Sequence, residues 1–169
     1  MPLDRSTMTA RLPWGLHLPL RPFFGIMAVA PPPAWGVVPT PPPRRNGGNI
    51  DNKELVAGTT LFLPVFVDGA LFSVGDGHAA QGDGEVCLTA IEIELIVRDD
   101  LQLRWPVAET PTHWITMAFD PDLDYCVVLA LREMIALVQT RAGLSREDAY
   151  MLCSLAADLR VTQVVNGSK

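Results

Sequence analysis

At 169 residues, with 49% apolar and 19% charged side chains, the chain suits a single domain with a sizeable core. A net charge of −6, with no basic cluster beyond Arg44-Arg45, argues against nucleic acid as a partner. Mean hydropathy is +0.21, but Pro64, Asp68 and Glu92 interrupt the apolar stretches well short of the roughly twenty residues that a membrane span needs, so no membrane is expected.

Residues 1–20 lack periodicity and read as an irregular lead-in, with charges at Asp4, Arg5 and Arg11 but no apolar run of secretory type. Residues 21–169 read as one domain. Phe23 to Ala30 predicts a buried strand. Seven of the fifteen prolines fall in 31–43. Proline fixes φ and removes a backbone donor, so 31–43 is expected to be stiff and extended rather than a ladder strand, within a Pro/Gly-rich connector, 31–48, inside the domain. A rigid flap anchored by Trp35 is the less favoured reading of it.

Leu61 to Val67 predicts a strand that Pro64 confines to an edge or a bulge. The small-residue stretch Asp76 to Glu85 then predicts a loop between two apolar runs, 61–74 and 86–97. Val86 to Arg98 alternates, with Cys87, Thr89, Ile91, Ile93, Leu95 and Val97 on one face. Asp99-Asp100 turns the chain into a further strand carrying Leu101, Leu103 and Trp105, and His113 to Phe119 predicts another.

The period then changes. Leu123, Val127, Leu131, Met134, Ile135 and Val138 recur at helical spacing, and Gly143 is placed to stop that helix in the left-handed conformation. Ser145 with Asp148 reads as a capping box opening a second helix, whose buried face is expected to be Ala149, Leu152, Leu155, Ala156 and Leu159. Val161 to Val165 should return as a strand. The expected fold class is α+β, an antiparallel β-rich core of sandwich or roll type with two C-terminal helices packed on it.

Cys87, Cys126 and Cys153 are widely spaced and form no CxxC pair. They read as reduced thiols of a cytoplasmic protein.

The stretch Asp76-Gly77-His78-Ala79-Ala80-Gln81-Gly82-Asp83-Gly84-Glu85 concentrates the chemistry. Carboxylates and an imidazole on one short segment suit a hard or borderline divalent cation, which takes oxygen and nitrogen donors. The bland alternative is a solvated acidic turn, since Gly and Asp are ordinary turn residues. No GxSxG elbow is present. Cys87 falls on the apolar face of its expected strand, which favours packing over nucleophilic catalysis.

Several blocks occur in a fixed order: Pro43 to Leu55 (PRRNGGNIDNKEL), Gly58 to Val65 (GTTLFLPV), Gly69 to Ser73 (GALFS), the acidic stretch above, and Glu109 to His113 (ETPTH). Together, from about Leu20 to Lys169, they resemble the acetamidase/formamidase family. The resemblance implies hydrolysis of a small linear amide to a carboxylate and ammonia. It also implies a longer chain, with a β-rich region before Arg21-Pro22-Phe23 and a continuation past Lys169, so this chain is expected to be a shortened relative or a fragment.

On that resemblance Asp51, Asp76, His78 and Asp83 are the expected metal ligands. Glu85 is expected as general base or further ligand, and Lys53 and Asn49 as groups that steady negative charge. Asn49, Gln81, Glu109 and His113 are the expected substrate contacts. Zinc is the expected ion, with calcium as the alternative. Missing strands would leave an apolar edge that proteins normally cover, so a homo-oligomer or a companion chain is expected. The rival reading is a non-catalytic or subunit-dependent remnant that keeps the fold as a structural or interaction protein.

Overall fold

The structure is a computed structural model that describes residues 3–84, 96, 98 and 100–169. Among the described residues there are three three-stranded antiparallel sheets, followed by two helices. The first sheet contains β1 (Leu3–Asp4), β2 (Thr9–Arg11) and β3 (His17–Pro19) in that order. It occupies the stretch expected to be irregular. Strands of two and three residues are too short to show an alternating pattern. What fixes the first turn is Asp4, whose carboxylate accepts from the Ser6 amide at 2.9 Å and the Ser6 hydroxyl at 2.6 Å.

The second sheet has the order β5-β4-β7, from β4 (Phe23–Ala28), β5 (Gly47–Asn49) and β7 (Ser73–His78). β4 matches the expected buried strand. β7 corrects an expectation: Asp76, Gly77 and His78 lie on a strand end, not in a loop. Pairing along the whole length of β4 overrides the weak strand propensity of Ser-Val-Gly-Asp-Gly-His. Between β4 and β5 the proline-rich connector contains one short 3₁₀ turn, Pro33–Trp35.

The third sheet has the order β6-β8-β9, from β6 (Thr60–Phe62), β8 (Val107–Glu109) and β9 (Trp114–Thr116). Leu101 to Trp105, expected as a strand, is irregular, and pairing begins only after the buried Pro106. The alternating strand expected over 86–98 lies outside the described residues except at Ile96 and Arg98.

Helix α1 (Leu123–Ala142) starts at Asp122, whose carboxylate accepts from the Asp124 and Tyr125 amides, and stops at Gly143 with φ 66°. Helix α2 (Arg146–Ala156) starts at Ser145, whose hydroxyl accepts from the Asp148 amide. Both stop and start signals act as expected. The buried face of α2 does not. Ala149 and Cys153, one turn apart, are buried, while Leu152, Leu155 and Leu159 are exposed. Helix α2 packs against α1, but the contact does not cover the larger side chains. The segment after α2, expected as a strand, carries one β-bridge position, Gln163, among the described residues; its other hydrogen bonds run to the loop after β7 and to residues around the site.

The core joins the second and third sheets. Met27, Ile50, Leu55, Ala108, Met117 and Phe119 form one buried cluster, with Phe24, Leu61, Leu63, Phe72, Trp105 and Ile115 packed around it. Burying each large member contributes about 1.5–3 kcal/mol. Helix α1 docks on β9, where the Thr116 hydroxyl donates to the Ala130 carbonyl at 2.9 Å and the Arg141 guanidinium lies 4.2 Å from the centre of the Trp114 ring. The fold class is therefore α+β, as the sequence pattern implies.

Candidate metal centre

Register builds the site. β4 and β7 pair Phe23 with His78, Phe24 with Gly77, Ile26 with Gly75 and Met27 with Val74. Gly25 therefore stands opposite Asp76. Directly opposed residues share a face, and so do alternate residues along a strand. His78, Asp76, Gly25 and Phe23 thus occupy one face of the sheet. The His78 ring stacks on Phe23, centroids 4.7 Å apart.

Asp51 reaches the same face from the other edge. Past Asn49 the chain bends over Gly25, and the amides of Ile50 and Asp51 both donate to the Gly25 carbonyl, at 2.8 and 3.1 Å. Asp51 (φ 50°) and Asp76 (φ 49°) both adopt the left-handed conformation. Aspartate tolerates that region better than most residues, and such backbone recurs where side chains must be aimed. Here both carboxylates converge on one imidazole nitrogen. His78 Nε2 lies 3.3 Å from Asp51 Oδ1 and 3.2 Å from Asp76 Oδ2.

Gly25 marks the space between them. A Cβ added there would lie against Asp51 Oδ1, 2.6 Å from His78 Nε2 and 2.8 Å from Asp76 Oδ2. No carbon fits at such distances. With no side chain at Gly25 the three donors can close on one divalent ion, whose bonds to carboxylate oxygen and imidazole nitrogen are about 2.0–2.2 Å for zinc and about 2.3–2.6 Å to oxygen for calcium. The three ligand atoms lie within 4.8 Å of one another. The Asp51 and His78 side chains are 1% exposed and that of Asp76 32%, so the centre is closed below and open beside Asp76. His78 Nδ1 is buried with no hydrogen-bond partner among the described residues.

Around the triad lies a shell of amides. Asp51 Oδ2 accepts from Asn49 Nδ2 and from Asn166 Nδ2, each at 2.8 Å. Gln163 is fully buried; its Nε2 donates to the Asn49 carbonyl at 2.6 Å, and its Oε1 accepts from Asn166. Gln81 Nε2 donates to the Asp51 carbonyl and, at 3.3 Å, to that of Thr162.

Of the residues singled out in the sequence, the structure brings Asp51, Asp76 and His78 together. Asn49 and Gln81 touch Asp51 rather than the open side of the centre. Asp83 pairs with Lys53 at 3.0 Å, outside the triad. Glu109 and His113 lie at the β8–β9 hairpin, exposed and on a different sheet, with His113 Nδ1 2.9 Å from the Thr112 hydroxyl. Glu85 and Cys87 fall outside the described residues. Sequence reasoning missed Gly25, Gln163 and Asn166. A glycine inside a strand pattern is a signal of close approach by a ligand or another backbone, and Gly25 gave that signal. Asn166 gave none, lying 115 positions from the carboxylate it holds.

Comparison with known proteins agrees with this architecture. The sequence profile described as the Acetamidase/Formamidase family matches residues 34–110. The acetamidase of Mycolicibacterium smegmatis is 57% identical over 47 residues, 28% of this chain and 12% of that protein. A crystal structure of acetamidase from Bacillus halodurans superposes with a TM-score of 0.81 at 41% identity, covering 91% of this chain and 54% of its own. That of a predicted acetamidase/formamidase from Thermoanaerobacter tengcongensis gives 0.82 at 35% identity, covering 91% and 52%. The chain spans about half the length of these solved relatives. In sequence across the stretch that carries Asp51, Asp76 and His78, and in fold over nearly all its length, the chain is similar to the acetamidase/formamidase family.

Proposed function

We propose that this protein hydrolyses a short linear amide, of the formamide or acetamide kind, to a carboxylate and ammonia at the Asp51–Asp76–His78 centre, with zinc as the ion and calcium as the alternative. The observation that carries the reading is the convergence of three ligand atoms within 4.8 Å of one another, above a glycine whose Cβ would meet all three. The names of the similar proteins supply the reaction class.

An amide resists water because resonance weakens the carbonyl as an electrophile and the amine as a leaving group. A divalent ion in such a site brings the pKa of bound water towards neutrality and polarises a carbonyl oxygen. The chain's residues do the rest. Two carboxylates and an imidazole supply the donors, and the Phe23 ring, stacked on His78, covers one side of that imidazole. The partly exposed Asp76 side leaves an approach for a small substrate. Glu85, close after the triad in sequence, takes the role of general base that returns a proton to nitrogen. Lys53, steadied by Asp83, is the cation available to developing negative charge. Asn49, Gln81, Glu109 and His113 complete the proposed set as substrate contacts, with Asp83 as a fourth ligand if it leaves Lys53.

Exposed apolar side chains on and after α2, Leu155 at 86% among them, support assembly with a second copy or a companion chain. Sedimentation of the purified chain tests this.

The test of the activity is ammonia release from formamide and acetamide by the full chain, before and after a chelator. Release that the chelator abolishes, that zinc restores, and that His78→Ala lacks is the expected result. Release indifferent to the chelator would remove the ion from the mechanism. A folded, metal-free chain without release would favour a remnant that keeps the fold alone.

A further inference from the structure

We infer that Asn166 is a positioning residue that makes Asp51 a one-oxygen ligand and thereby biases the centre towards a small tetrahedral ion and against calcium. The inference rests on the metal reading above and adds to it a determinant of metal choice. A carboxylate oxygen only accepts hydrogen bonds, so the amides of Asn49 and Asn166 must both turn their nitrogens towards Asp51. Both reach the same oxygen, Oδ2, at 2.8 Å. Two donors occupy the lone pairs of that oxygen, while Oδ1 is the one that faces His78 Nε2 and the space over Gly25.

Metal preference follows from this division of labour. Calcium takes six to eight oxygens and commonly engages a carboxylate through both. Zinc takes about four donors, one atom from each ligand. Holding Oδ2 away from the ion therefore disfavours calcium more than zinc.

The position of Asn166 is itself built. Its Nδ2 also donates to Oε1 of the buried Gln163, which is anchored on the Asn49 carbonyl. Upstream, the Val161 carbonyl accepts from the Gly84 amide at 2.9 Å, and Arg160 pairs with Glu54 at 2.7 Å. The chain is thus tied down just before Thr162 and again at Gln163, so the amide arrives pre-oriented.

The experiment compares zinc and calcium affinities, by competition with a chromophoric chelator, for the wild-type chain, Asn166→Leu and Asn166→Ser. The visible spectrum of the cobalt-loaded forms is recorded in parallel. Losing an outer hydrogen bond to a ligand typically costs about 10–100-fold in metal affinity. The expected result is a zinc affinity lowered by that factor in both variants with calcium affinity kept or raised, so that the zinc-to-calcium ratio shrinks at least tenfold, and a weaker cobalt absorption of higher coordination number. The serine variant guards against misfolding of the leucine variant. Zinc and calcium falling in proportion, or neither changing, would overturn the inference while leaving the metal reading intact. A wild-type chain that binds neither ion would overturn both.

Discussion

Replacing Gly25 with alanine separates the fold from the chemistry. Gly25 lies inside β4 and is absent from the positive-φ residues, so the backbone accepts an L-residue there. The added carbon instead meets the triad, 2.6 Å from His78 Nε2 and 2.8 Å from Asp76 Oδ2. Both distances are below normal contact, so the ligand side chains must swing apart by several tenths of an ångström. Overpacking of this kind costs about 1–3 kcal/mol. Reduced freedom of the unfolded chain offsets about 0.4–1 kcal/mol of that. The metal-free variant should therefore fold, with a modest loss of stability. What it loses entirely is the place for the ion.

The readout is the shift in thermal midpoint on adding zinc. At a hundred times its Kd, a ligand that binds only the folded state stabilises by about 2.7 kcal/mol. For a chain of this size that is a rise of about 5–10 °C in Tm. The wild-type chain should show the rise and Gly25→Ala should show none. An undiminished rise in the variant would refute the reasoning, because the ion would then lie somewhere other than over Gly25.

Lys53→Met should change stability by less than about 1 kcal/mol, since its pair with Asp83 is partly exposed. It should slow ammonia release at least tenfold without altering zinc affinity, and an unaltered rate would remove Lys53 from the reaction. Gly143→Ala should cost about 1 kcal/mol in denaturant unfolding through backbone conformation alone, because φ is 66° and no atom lies within 4 Å of the new carbon. Burial raises the thiols of Cys126 and Cys153 above the ordinary 9.0. The folded chain then keeps protons that the unfolded chain releases. Their contribution to stability is present below pH 9 and lost as pH rises through the raised value, so the denaturation midpoint should fall across that range. Replacing both cysteines with alanine should flatten the fall; a fall of the same size would assign it to other groups.

How much could be read beforehand depended on the range of the signal. Gly143 and Ser145 act within a few residues of themselves, and each marks its helix end as expected. The residue types of the triad were legible because Asp76 and His78 stand two positions apart among small residues and Asp51 falls in the block Pro43 to Leu55. Their setting was not. A run of glycine, aspartate and histidine has the composition of a loop, and only pairing with β4 makes it a strand. The exposed leucines of α2 failed in the opposite direction, because helical periodicity identifies an apolar face without saying how much of it a neighbour covers.

The site and the register of the second sheet are the same fact stated twice. Sliding β7 by one residue against β4 would turn Asp76 and His78 to the other face and place Gly75 or Gly77 opposite Gly25, according to the direction of the slip. Nothing in the segment 73–78 alone prevents that slip, since it carries few large apolar side chains. Prevention comes from contacts at both ends. His78 stacks on Phe23, and the Arg21 amide donates to the Ala79 carbonyl at 2.9 Å. The Ala30 amide donates to the Ala70 carbonyl at 2.8 Å before the strand begins. Disrupting either end should therefore cost metal affinity before it costs the fold. Phe23→Ala would be the severe case, since it removes a fully buried ring as well as the stack. Phe23→Leu keeps most of the volume and isolates the register. It should weaken zinc binding more than it lowers the metal-free Tm, and an equal loss in both would mean that the stack serves packing alone.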